Sequence, residues 1–144
     1  MSTGPQAMLW PVFALVALTF VVWVRLFVVR IGEMRRQRIH PQSVATSPQA
    51  AQRFVDTRAA DNLRNLFELP VLFYAAVAIA FAAREVSVLL LALAWLFVAL
   101  RIVHSAIQCS YNRVMHRFFS HILGALVLWA LWGTLFVSML GLGT

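Results

Sequence analysis

Apolar positions dominate the chain in four long runs, separated by shorter segments where polar residues and turn formers collect. The pattern predicts four helices, over about 8–29, 52–83, 86–110 and 113–140. Each is near or above the roughly 20 residues that cross a bilayer core of about 30 Å. Residues 30–51 hold Gly32, Pro41, Pro48 and the run "RRQR", so they form the one real loop, with room for a short helical turn. Only "REVS" joins the second and third helices, which makes them a tight antiparallel hairpin. No internal repeat is visible.

Composition strengthens this reading. The 144 residues are 62% hydrophobic and 12% charged, well above the roughly 45–50% apolar share of a soluble domain. The expected fold class is an all-α integral membrane protein, a four-transmembrane-helix bundle forming a single domain over 1–144. The first residues carry no basic group ahead of the apolar run, so they read as a retained span and not as a removed signal. All 12 basic residues are Arg, and the net charge is +7. Such a charge could serve nucleic acid, but these arginines sit at helix ends, where membrane orientation explains them better. Seven of them, Arg30, Arg35, Arg36, Arg38, Arg53, Arg58 and Arg64, lie between the first two helices, and Arg113 lies between the last two. The opposite side has Arg84 alone. The positive-inside rule then predicts both termini on the non-cytoplasmic side.

Length arithmetic locates the unusual residues. Leu69–Ala83 and Val86–Leu100 are free of charge, and 15 residues of helix reach only about 22 Å. With Arg84 and Glu85 at the outer interface, Glu68 and Arg101 fall at equal depth inside the other boundary. In a hairpin that register makes Glu68 face Arg101, Asn65 face His104, Asp61 face Gln108 and Arg58 face Tyr111. Arg101, His104, Gln108 and Tyr111 share one helical face, as do Arg58, Asn62, Asn65 and Glu68. A polar column inside a membrane is costly and marks a ligand site by default. The competing reading is structural: Arg58 with Asp61 and Arg64 with Glu68 have the spacing of surface ion pairs, and Glu68 with Arg101 that of a buried pair fixing register. The fourth helix opens with Arg113 and Arg117, whose planar guanidiniums suit a carboxylate or a small anion, or a lipid headgroup reached by snorkelling. His104, His116 and His121 lack a metal-ligand spacing, so no metal site is predicted. The single Cys109 excludes a disulfide within the chain.

These residues resemble a known pattern. "RNLFELP", with Asn65, Glu68 and Pro70, resembles the second-helix signature of the MAPEG family, the membrane-associated proteins of eicosanoid and glutathione metabolism. "RIVH" is similar to the family's Arg-x-x-His, and Arg113 and Arg117 to the paired arginines that open its fourth helix. The resemblance covers nearly the whole chain and implies a bacterial-type member in the inner membrane, a homotrimer surrounded by lipids. It implies glutathione as cosubstrate and a lipophilic small molecule as second substrate, with no nucleic-acid partner. Carried over residue by residue, it makes Arg117 the thiolate-stabilising catalytic residue. Arg58, Arg64, Asn65, Glu68, Arg101, His104, Gln108, Tyr111 and Arg113 become the glutathione-binding set. The sequence departs from the pattern at Asp61, where an Arg is common, at Gln108 in place of Tyr, and at Phe118 where some members have Ser. Two functions follow: a glutathione-dependent transferase or peroxidase acting on lipophilic electrophiles, or a non-catalytic module whose polar column binds lipid headgroups or a partner protein. A transporter is the weaker third reading, because nothing polar continues the column toward the outer face.

Overall fold

The computed structural model describes residues 4–141, and among them there are helices and turns but no strand. Four helical segments are long and apolar enough to cross a membrane: Pro5–Gln37, Arg58–Ala83, Val88–Cys109 and Val114–Met139.

Helix α1, Leu9–Gln37, follows a 3-10 turn over Pro5–Met8 and runs well past the predicted end near residue 29. Its 29 residues span about 43 Å, so the last turns stand clear of a core of about 30 Å. That extension is held by Glu33, whose buried carboxylate accepts from Gln37 Nε2 at 2.9 Å and from the Val55 amide at 2.7 Å. α1 stops at Arg38, in the left-handed region at φ 52°.

The loop contains a 3-10 turn, Pro41–Val44, and the short helix α2, Ser47–Arg53. Gln49 there reaches back to accept the Thr46 amide at 3.1 Å, half of a capping box. The predicted continuous helix over 52–83 is instead α3, Arg58–Leu66, and α4, Leu69–Ala83. Pro70 causes the second interruption. It has no N–H to give to Leu66, and its ring crowds that carbonyl, so the backbone departs from helix at Phe67 and Glu68. The first interruption, residues 54–57, survives because side chains satisfy its backbone: Glu33 takes the Val55 amide and Asp56 the Arg58 amide.

Helix α5, Val88–Cys109, starts at Ser87, whose hydroxyl accepts the Leu90 amide at 3.1 Å. Helix α6, Val114–Met139, follows a turn that places Asn112 at φ 49°. At the far end Ser138 Oγ donates to Glu85 at 2.5 Å, tying α6 to the hairpin.

α5 is the axis of the bundle, packing on α1, α3 and α6. Phe73 and Phe97 stack at 4.9 Å in its core, with Leu15, Leu90, Leu128, Leu131 and Leu135 fully buried around them. The outward faces of α1 and α6 carry Phe13, Phe20, Trp23, Leu126, Trp129 and Phe136 exposed. For a bundle whose solvent is lipid, such a surface is the stable one, and one compact polar zone remains at the basic end.

Candidate functional site

The polar zone is built on the last turns of α5. Arg101, His104, Ser105 and Gln108 are all buried there, and they point to two different neighbours.

On the side of α1 and α3, the polar groups close on one another. Buried Asn62 accepts from Ser105 Oγ at 3.2 Å and donates to Cys109 Sγ at 3.4 Å. Arg25, alone among apolar neighbours in α1, donates from Nη2 to the Cys109 carbonyl at 2.6 Å. Arg58 grips Asp56 with a side-on fork, Nε to Oδ1 at 2.9 Å and Nη2 to Oδ2 at 2.8 Å, and its Nη1 donates to the Ser110 carbonyl. Two guanidiniums thus cap one helix C-terminus, where the backbone presents unsatisfied carbonyls and partial negative charge. Hydrogen bonding to Arg58 is the main reason the Asp56 carboxyl is held below the usual carboxylate range.

On the side of α6 the same helix forms the floor of an open cleft of about 330 Å³, within the range of small-molecule pockets. His104 and Gln108 make the floor, Asp61 and Asn65 of α3 one wall, and Val114, Arg117, Phe118 and His121 of α6 the other. Gln108 Oε1 accepts from Asn65 Nδ2 at 2.9 Å and lies 3.0 Å from His104 Nε2. On its other edge, His104 Nδ1 lies 3.1 Å from the Arg117 carbonyl and 3.2 Å from Ser120 Oγ, so the ring is held between α5 and α6 from both sides. Arg117 is half-buried and donates from Nη1 to Asn112 Oδ1 at 2.8 Å. The left-handed backbone of Asn112, a conformation Asn tolerates well, aims that oxygen back at α6.

Arg101 lies behind the cleft and does not line it. It is 1% exposed, its Nη2 donates to the His121 carbonyl at 3.3 Å, and its guanidinium carbon stands 5.3 Å from the Phe97 ring centroid. Nε and Nη1 have no partner among the described residues. Gly124 makes the position possible, since a Cβ there would sit 2.6 Å from Nη2.

The expected ladder therefore changes. Asn65 meets Gln108 and not His104; Arg58 meets Asp56 and the Ser110 carbonyl and not Tyr111 or Asp61. Glu68 is exposed, and the pair Arg58–Asp56 is the one ion pair within 4.0 Å among the described residues, so Glu68 pairs with neither Arg101 nor Arg64. The break at Phe67 and Glu68 is the cause, because α3 no longer continues the phase of α4 and equal distance from the hairpin stops meaning opposite positions. Of the residues singled out from the sequence, Asn65, His104, Gln108 and Arg117 surround one cleft. Arg64 lies on a smaller pocket behind α3, Tyr111 is exposed and bonded to His116 at 3.2 Å, and Arg113 is exposed at the start of α6.

Sequence reasoning left out Asp61, His121, Asn112 and Arg25 as site or supporting residues. His121 carried a signal, lying four residues after Arg117 on the same helical face. So did Arg25, the one charge inside the first apolar run. Asn112 carried none, because its role depends on a turn conformation.

No curated protein and no solved structure matches the chain. A family model does, over residues 8–137, a range that takes in all but the outer ends of the first and last spans and every residue of the cleft. With nearly its whole length matched, the chain belongs to the MAPEG family.

Proposed function

We propose that the protein is a glutathione-dependent membrane transferase or peroxidase acting on lipophilic electrophiles, with Arg117 stabilising the thiolate. The observation that carries this reading is the Arg117 guanidinium on the wall of a polar cleft at the basic end of a membrane bundle. The residues suit a small thiol peptide: a guanidinium for negative charge, a carboxylate for positive charge, and the Asn65 and Gln108 amides for peptide groups. Exposed Val114 and Phe118 at the same cleft offer an apolar approach for a substrate dissolved in lipid.

Glutathione would supply a thiol that ionises near pH 8.5 when unperturbed, and its thiolate is the nucleophile. Arg117 lowers the cost of the negative charge on sulfur, and Asn112 holds the guanidinium in place through Nη1. His104 is locked between Gln108 and Ser120, which suits it to hold the floor of the cleft in one shape more than to travel as a base. In a conjugation, the sulfur forms a bond to the electrophilic carbon while the leaving group departs with its electron pair. Self-association as a homotrimer, which membership of the family favours, is the setting in which exposed Arg64, Glu68, Tyr111 and Arg113 would meet a ligand held by a neighbouring copy.

The test is glutathione binding by calorimetry and conjugating activity of the detergent-purified protein, with Arg117→Ala alongside. Activity is expected to fall about 10²-fold or more in the variant, the scale for losing one charge-stabilising donor, with the melting temperature nearly unchanged. A folded wild-type protein that binds no glutathione at millimolar concentration would replace this reading with that of a non-catalytic module.

A further inference from the structure

We infer that Asp61 is the residue that holds the cationic end of the thiol cosubstrate, the ammonium of its γ-glutamyl group. This inference rests on the glutathione reading of the cleft and concerns which carboxylate serves it. Glu68, whose place in the family signature would suggest it, is exposed at the α3–α4 break and does not line the cleft. Asp61 does, and it is the cleft's only carboxylate.

Three features make Asp61 a binding group and not a surface charge. It is fixed: Oδ2 accepts from Thr57 Oγ1 at 2.9 Å one turn earlier, which sets the rotamer and leaves Oδ1 without a partner among the described residues. It has no direct ion pair: no cation of the described residues lies within 4.0 Å, Arg58 being committed to Asp56, while Arg30 and Arg64 share only the smaller neighbouring pocket with it. It is also placed opposite the cation. α3 and α6 both pack on α5 and scarcely touch one another, so Asp61 and Arg117 stand on facing walls with the His104 and Gln108 floor between them.

A carboxylate left unpaired at the threshold of a membrane is costly, and an ammonium brought by the ligand removes that cost as it binds. The geometry orients the ligand as well. Its ammonium goes to α3 and its sulfur to α6, because exchanging the ends would set the thiolate against Asp61. The cleft thus selects a thiol that carries a positive group at one end, and it disfavours thiols bearing only carboxylates.

The deciding measurement compares glutathione with its desamino analogue, the same tripeptide lacking only the γ-glutamyl amino group, by calorimetry on full-length protein in detergent. Wild type is expected to bind glutathione about tenfold or more tighter than the analogue, the scale of a charge-assisted hydrogen bond. Asp61→Asn, which keeps the Thr57 contact, should abolish that preference by weakening glutathione alone, whereas Asp61→Glu should retain part of it and Glu68→Gln all of it. Asp61→Ser serves as a second neutral variant should the Asn protein not fold. The inference is overturned if wild type binds both ligands equally, if Asp61→Asn weakens both alike, or if Glu68→Gln is the change that erases the preference. Absence of binding to either ligand would instead sink the glutathione reading, and the assignment of Asp61 with it.

Discussion

The two sides of the C-terminal half of α5 are chemically alike and energetically opposite. Toward α1 and α3, Arg25, Arg58, Asp56, Asn62 and Ser105 each find a partner within the chain, and only Arg25 Nε is left over. Toward α6, Arg101 keeps two unpartnered nitrogens, Asp61 has no cation of the described residues within 4.0 Å, and Arg117 faces an open cleft. A membrane protein in which polar groups are satisfied on one side and left over on the other has separated holding from binding. The satisfied side fixes where α5 ends, and on the other side Asp61 and Arg117 line the open cleft with the unpartnered Arg101 buried behind it.

That contrast can be broken by making one chemical change on each side. Arg25→Met removes the donor that caps the Cys109 carbonyl, and losing a partner for a buried acceptor costs about 1–3 kcal/mol. Arg101→Met removes a buried charge that has no carboxylate within 4.0 Å, where an apolar replacement is neutral or stabilising. Thermal midpoints in detergent are therefore expected to fall for Arg25→Met and to hold or rise for Arg101→Met. A drop of equal size in both would show that the two sides do not differ.

Asn112 joins the sides, since it turns the chain after α5 and also orients Arg117. Asn112→Gly keeps the left-handed backbone and removes the 2.8 Å contact to Arg117 Nη1. Activity should fall about tenfold, or about 1.4 kcal/mol in the barrier, with little change in melting temperature. Asn112→Ala should lose activity to the same degree and also about 1 kcal/mol of stability, because Ala resists positive φ. Equal activity in the Gly variant and the wild type would reduce Asn112 to a turn residue.

Gly124→Ala sharpens the contrast from within the unsatisfied side. The added Cβ would meet Arg101 Nη2 at 2.6 Å, and the guanidinium is boxed in by Phe97, so the side chain must shift at a cost of about 1 kcal/mol. In an Arg101→Met background the same change should cost less, because the group it strikes is gone. Additive melting shifts in the double variant would mean that Gly124 and Arg101 are not coupled.

The fold was legible because its cause is local: four apolar runs of bilayer length and a hairpin of only a few polar residues. What the sequence hid depends on contacts between segments. α1 reads as ending near residue 29 because "RIGEMRRQ" leaves the apolar pattern, yet Glu33 holds it helical to Gln37 by binding the returning chain at Val55. Pro70 announced a disturbance in the second span, but its consequence, a break that takes Glu68 out of register with Arg101, depends on how far the phase slips. Asn65, His104, Gln108 and Arg117 could be gathered from spacing and resemblance because they lie on continuous helices. Asp61 reads from the sequence as a departure from a pattern, while the cleft makes it the one carboxylate facing Arg117.

The smallest expected effect tests the satisfied side by titration. Asp56 lies outside the spans and its carboxyl is held below the usual range by the Arg58 fork. A carboxylate with a depressed folded pKa contributes stability that is fully present above its unfolded value of about 3.9 and lost as pH falls through the folded value. Asp56 and Arg58 keep 26% and 38% of their side-chain surface exposed, so solvent screening makes the contribution slight. The melting temperature of the wild type should therefore decline a little more than that of Asp56→Asn as pH is lowered from about 5.5 to below about 4. Parallel declines would mean that the fork adds nothing, leaving the Arg58 bond to the Ser110 carbonyl and Arg25 to hold the end of α5.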